Sequence, residues 1–258
     1  MKKIIIFLSF LMDNKEIKNE DILNYDLSKE EKDTITVDYR NSNYKLIKIP
    51  LPELSVEVTI KQNFGLGKGG IFWDGSYFIT KYLINNIFNE NIKNVLELGA
   101  GTSLPSLASL IKGYNVFTTD IPKFIPFIND IMDLNKNLFH KNSNCNVMQL
   151  SWEKKEDIQV VKNKMNNKPF DLIIGSELIY LDDLFDDLIN VIKEFSDEKT
   201  FIILSYKIRL PSMVEDFLER LIKYFEIEYI DYDLENELYP KPDKLKLIKI
   251  KKKINILK

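Results

Sequence analysis

The sequence predicts an α/β protein, a mostly parallel sheet with helices packed on its faces. Three observations lead there. Short apolar runs, such as Val95-Leu96 with Leu98 and the FDLII of residues 170–174, are too brief for helices and recur along the chain. Longer stretches between them place apolar residues three and four apart, as in Leu104, Leu107, Ala108 and Ile111. The run at residues 95–98 ends in a glycine turn, Gly99-Ala100-Gly101, that opens directly into that helical stretch.

The composition allows one large α/β domain or two small ones: 258 residues, of which 45% are hydrophobic. A net charge of −3 gives no basic field that would favour nucleic acid. One cysteine, Cys145, excludes an internal disulfide framework and fits a reducing compartment. With Cys145 and His140 the sole members of their kinds, a zinc site is not expected. A Ser-His-Asp triad would have to draw on His140, which sits in a polar run.

At the N-terminus, two lysines precede an apolar run that resembles the first regions of a signal peptide. Asp13, Asn14 and Lys15 follow instead of an A-x-A-like site, and the run is too short to span a bilayer. We therefore expect a strand or an extended arm, and a cytoplasmic protein. Residues 1–45 read as an N-terminal extension, charged and Asn-rich after residue 12 and partly disordered. Residues 46–258 read as the folded domain.

The domain's elements follow in order. Residues 44–49 and 56–62 suggest a pair of strands separated by Pro50 and Pro52. NFGLGKGG at 63–70 reads as a mobile loop, either a linker or a flap over a ligand. Trp73 stands at the entrance of a helix over 76–89, suited either to the core or to enclosing a cofactor. After the strand and helix of the glycine unit, Gly113 is placed to cap that helix. A second strand over 115–119 ends in Asp120. A helix over 124–135 follows, with Phe127, Ile128, Ile131 and Leu134 on one side and Pro126 tolerated in its first turn. Strands are expected at 144–150, 170–174 and 200–206, and helices at 181–195 and 213–225. Residues 154–167 read as polar, helical or irregular. Residues 225–232 and 245–254 read as a closing pair of strands, and the slip from Leu245 and Leu247 to Ile248 and Ile250 suggests a bulge.

The glycine unit carries the chemistry. Glycines let a backbone approach a ligand closely, and an acid about 20 residues later, Asp120, is placed to accept both hydroxyls of a ribose. The unit therefore reads as a nucleoside site. A dinucleotide fingerprint wants glycine or alanine where Leu104 stands. Glu97, two residues before Gly99, suits a cationic ligand better than a pyrophosphate. S-adenosylmethionine has a sulfonium, an ammonium and a ribose diol but no phosphate, and it fits best. NAD, or a ligand-free core, are the alternatives. Trp152, just past the third strand of the unit, is placed to pack on an adenine or to anchor the next helix. Ser176, Glu177 and Tyr180 lie in the loop at the carboxyl end of the next strand, where ligands sit in open α/β sheets.

The chain resembles the seven-stranded S-adenosylmethionine-dependent methyltransferases, and within them the group that modifies lysines of non-histone proteins. The resemblance is carried by Trp73-Asp74, by Val95-Leu96-Glu97-Leu98-Gly99-Ala100-Gly101-Thr102, by Asp120, by Ser151-Trp152 and by the run from Asp171 to Tyr180. It covers roughly residues 57–252. It implies a Rossmann-like doubly wound sheet of seven strands, mostly parallel with an antiparallel edge. It implies cofactor contacts from Trp73, Gly99, Ala100, Gly101, Asp120, Trp152 and Ser176, to which the ligand argument adds Glu97. The expected substrate is a protein lysine, on a chaperone, an ATPase or a translation factor, and the expected state is a monomer without nucleic-acid or membrane partners. Glu177 and Tyr180 are the expected catalytic pair, with no metal. Two departures stand out: Glu177 replaces the usual aspartate of an Asp-x-x-Tyr motif, and Thr102-Ser103-Leu104 replaces Thr-Gly-Leu. A small-molecule or arginine methyltransferase, and a cofactor-binding module without turnover, are the alternative functions.

Overall fold

A computed structural model describes residues 44–88, 91–232 and 244–253. The N-terminal apolar run and the connection containing Pro240 and Pro242 lie outside the described residues. An antiparallel hairpin, β1 (Tyr44–Leu51) and β2 (Val56–Asn63), stands apart from a seven-stranded sheet. That sheet consists of β3 (Asn94–Leu98), β4 (Asn115–Asp120), β5 (Asn144–Gln149), β6 (Leu172–Ser176), β7 (Phe201–Lys207), β8 (Phe225–Ile230) and β9 (Leu245–Lys252). Its order is β5-β4-β3-β6-β7-β9-β8, parallel from β5 to β7. β9 runs antiparallel to both β7 and β8, so the reversed strand lies one place in from the edge. The chain leaves β3 toward β4 and later crosses back to β6. The order therefore reverses between the carboxyl ends of β3 and β6, where ligands bind in open sheets.

The expected bulge in the last strand is absent. β9 pairs in unbroken register with β7, from Ile202↔Ile250 to Lys207↔Leu245. The slip has another cause: β9 is covered on both faces. Leu245 and Leu247 enter the core on one side of the sheet, and Ile248 and Ile250 the core on the other.

Among the described residues six α-helices cover the sheet: α1 (Asp74–Tyr82), α2 (Leu104–Lys112), α3 (Ile125–Asn135), α4 (Lys155–Lys164), α5 (Phe185–Phe195) and α6 (Pro211–Leu221). The hairpin, α1, α2 and α3 share one core, and α4, α5 and α6 the other. α1 is shorter than expected and continues as one π turn over Leu83–Ile87. Gly113 caps α2 with φ 105°. Leu134 is 43% exposed, contrary to its expected place on the apolar side of α3. Buried Asn135 takes the inward position instead. Its amide accepts from Thr59 N at 2.7 Å and donates to Thr59 O at 2.8 Å, which ties the hairpin to α3.

Ser103 holds φ 59° and ψ 25°, the left-handed conformation that glycine adopts without strain. Its hydroxyl makes a long bond of 3.3 Å to Gly101 O, which offsets little of the cost. Ser103→Gly is expected to raise unfolding stability by about 1 kcal/mol. Urea unfolding checks this, and a less stable variant contradicts it.

Candidate active site

The carboxyl ends of β3, β4 and β6 bring the predicted residues to one end of the sheet. Gly99 and Gly101 have φ of 57° and 48°. At Gly101 a Cβ would lie 2.8 Å from Gly69 O, so the NFGLGKGG segment is seated on the turn. That segment forms short turns over Phe64–Gly70, with Asn63 accepting from Gly65 N. Trp73 fastens it, its indole N–H donating to Lys68 O at 2.8 Å. Ala100 is buried, its N–H bonded to Thr119 O at 2.9 Å, which ties the turn to the end of β4.

Asp120, 8% exposed, accepts from Gly101 N at 2.9 Å and from Ile121 N at 2.7 Å. Burial pushes its carboxyl up to about 6, against the lowering effect of those amides. Glu97 is fully buried. Its Oε2 accepts from both the N–H (3.0 Å) and the hydroxyl of Ser106, while Oε1 has no partner. Burial pushes Glu97 up to about 8. The Ser106 hydroxyl is in turn held by Thr118 Oγ1 at 2.8 Å.

These features fit S-adenosylmethionine better than a dinucleotide. A pyrophosphate needs the free N–H groups of the helix that follows the turn, and Glu97 has taken the one at Ser106. The orphaned Glu97 oxygen is an acceptor suited to a cationic group. Trp152 stands at the turn as well, its ring 3.5 Å from where a Gly99 Cβ would be. Ser176 ends β6, paired with Ser205 of β7.

Glu177 and Tyr180 have different partners. Tyr180 is 38% exposed, and burial, with a smaller contribution from the Asp120 charge, raises its phenol pKa. Lys68 Nζ lies 5.2 Å from its ring centroid. Glu177 instead turns toward β7 and α1. Its φ is 57°, its N–H donates to Ser205 O at 2.8 Å, and its side chain is 6% exposed. Its Oε2 accepts from Lys207 N at 3.2 Å and pairs with Arg209 at 2.7 Å. Leu178, between the two, lies across Gly99 and Gly175.

Sequence reasoning missed Ser106, Lys68, Leu178 and Arg209. Ser106 carried no signal, and Leu178 lay inside the run from Asp171 to Tyr180 without a role of its own. Lys68 lay within the glycine-rich segment already singled out. Arg209 lies just past the carboxyl end of β7, a position that topology marks only once the strand order is known.

No group of histidine, cysteine, aspartate and glutamate among the described residues could hold a metal ion. No described helix is long and apolar enough to cross a membrane.

Comparisons with known proteins give the family and the fold. The chain is 28% identical over 185 residues to a protein N-lysine methyltransferase METTL21A of Xenopus tropicalis, covering 70% of this chain and 80% of that one. It is 27% identical over 180 residues to EEF1A lysine methyltransferase 3 of Mus musculus, covering 69% and 73%. Among solved structures, the T. Thermophilus 16S rRNA N2 G1207 methyltransferase, in complex with AdoMet and guanosine, superposes with a TM-score of 0.55 at 17% identity. The match covers 82% of this chain and about half (51%) of that one. A SAM-dependent methyltransferase from Agrobacterium tumefaciens gives 0.53 at 13% identity, covering 80% and 70%. At such identities the structures speak for the fold alone. The profile of the lysine methyltransferase family matches residues 53–224, and the chain belongs to that S-adenosylmethionine-dependent family.

Proposed function

We propose that this protein methylates a lysine side chain on a non-histone protein, acting as a cytoplasmic monomer through a domain spanning residues 46–258. The curated relatives support a protein substrate, and the name of one points to a translation factor. The single cysteine, Cys145, is in keeping with a reducing compartment. The observation that carries the reading is that one segment joins an aromatic rim to the glycine turn: Gly69 O lies against Gly101, Lys68 O accepts from the Trp73 indole, and Lys68 Nζ stands over the Tyr180 ring.

S-adenosylmethionine supplies a methyl group already activated by its sulfonium. Gly99, Ala100 and Gly101 give it backbone to lie against, and Asp120 takes the ribose hydroxyls. Glu97 faces the cationic end with its free oxygen, Trp152 packs on the base, and Ser176 and Trp73 complete the enclosure. The target amine must lose a proton before it can act as a nucleophile. Exclusion of water by Trp73 and Tyr180 lowers its pKa. Tyr180 keeps its own proton because its pKa is raised, and Glu177 accepts an amine N–H and orients the lone pair.

Labelled cofactor and a cell lysate test this. A labelled protein band that yields methyllysine is expected; label confined to small molecules or to methylarginine contradicts it. Glu177→Ala is expected to lower transfer at saturating cofactor at least a hundredfold, and undiminished transfer removes its role. Gly75 offers a milder probe. A Cβ there would lie 2.5 Å from Glu177 Oε1. Gly75→Ala should therefore displace the carboxylate, lowering transfer about tenfold while the fold persists. A fully active variant contradicts this.

A further inference from the structure

Both aromatic faces of the rim already carry a cation from the chain itself. Lys68 Nζ stands over Tyr180 at 5.2 Å, and Arg209 Cζ stands over Trp73 at 5.0 Å from the ring centroid. Arg209 also reaches the acid, its Nη1 donating to Glu177 Oε2 at 2.7 Å. Its side chain is 36% exposed against 6% for Glu177, so the guanidinium lies on the solvent side of the carboxylate. An indole face plus a carboxylate is the chemistry that recognises an alkylammonium.

We propose that Arg209 is the resident cation of the amine subsite: it holds Glu177 and Trp73 in place until the substrate ammonium takes its position. This rests on the reading of Glu177 and Trp73 as the groups that receive the amine. Three observations say that the arginine is the partner that moves. Its bond to Glu177 uses one nitrogen, Nη1, where a lasting arginine–carboxylate pair commonly uses two. It is one-third exposed, so its head can turn to water. Glu177 by contrast is anchored at both backbone and side chain, by Ser205 O and Lys207 N. Glu177 Oε1, buried and without a partner, gives an arriving ammonium a second acceptor on the same carboxylate. Arg209 is thus a positioning residue that also screens the subsite, so that a weak cation does not enter while a lysine held by a docked protein does.

The test uses n-butylammonium as a probe of the lysine side chain. Its binding is followed through Trp73 fluorescence in the full chain carrying Trp152→Phe. Arg209→Ala is expected to bind the probe at least tenfold more tightly than the same chain with Arg209, and adding Glu177→Gln is expected to remove the gain. Equal affinity with and without Arg209, or a gain that survives Glu177→Gln, overturns the proposal. If Arg209→Ala does not fold, Arg209→Lys decides. Binding at least threefold tighter than with Arg209 supports the proposal, and unchanged binding overturns it. No methyl transfer is measured, so failure here leaves the labelled-lysate result standing, and failure of that experiment leaves this binding result interpretable.

Discussion

Asp120→Asn is expected to weaken S-adenosylmethionine binding about a hundredfold and to reduce methyl transfer to background. Both carboxylate oxygens of Asp120 already accept backbone N–H groups, from Gly101 and Ile121. An asparagine can offer an oxygen to only one of these donors, and its NH₂ then faces the other. The ribose hydroxyls also lose a charged acceptor, and hydrogen bonds to charged groups are worth roughly 1.5–3 kcal/mol each. Two of them account for the hundredfold loss. The effect has a pH signature. With its carboxyl pushed up to about 6, Asp120 is ionised at pH 7.5 and takes up a proton as the pH falls through 6. Cofactor affinity of the native chain should fall over that range, and that of the variant should not change on this account. Titration calorimetry at pH 5.5 and 7.5 measures both. A variant that binds within tenfold of the native chain contradicts the role given to Asp120.

Glu97→Gln is expected to move stability and binding in opposite directions. The glutamine oxygen can keep the two bonds from Ser106, while the buried charge disappears. Glu97 titrates at about 8 in the folded chain against the ordinary 4.5. A carboxyl raised in this way contributes stability that is fully present below pH 4.5 and is lost as the pH rises through 8. At pH 8.5 the variant should therefore be more stable than the native chain, by on the order of 2 kcal/mol. At pH 4.5 that advantage should vanish. Cofactor affinity should drop at least tenfold, because the free oxygen no longer presents a charge to the cationic end. Binding to the native chain should also release protons near neutral pH, since the ligand favours the ionised acid. Thermal unfolding at the two pH values, with a titration in two buffers, checks each part. A native chain as stable as the variant at pH 8.5 contradicts the buried charge. Unchanged affinity contradicts the contact with the cation.

Most of the sheet was legible because its signals are local. Short apolar runs mark β3, β4, β6 and β7, and the glycine turn with Asp120 locates the switch point without any knowledge of strand order. The terminal strand misled because the alternation rule assumes one covered face, whereas β9 has two. Leu134 misled for a related reason. Helical spacing names a face of α3, yet it was the hairpin that selected Asn135 for the inward position. At the site, residue types showed which groups gather at the carboxyl ends of the strands. They did not show that Glu177 would adopt a positive φ and turn toward β7. That turn depends on Ser205, Lys207 and Arg209 of the neighbouring strand and the loop after it, contacts about 30 residues distant in sequence. The Thr-Ser-Leu departure was legible in the sequence, and Ser103 occupies the conformation that a glycine would hold without strain.

A crystal structure of the chain grown with S-adenosylhomocysteine tests the central placement most directly. The ribose diol is expected on the Asp120 carboxylate, the adenine against Trp152, and the amino-acid end near Glu97. A product bound elsewhere, or with its ribose away from Asp120, contradicts it.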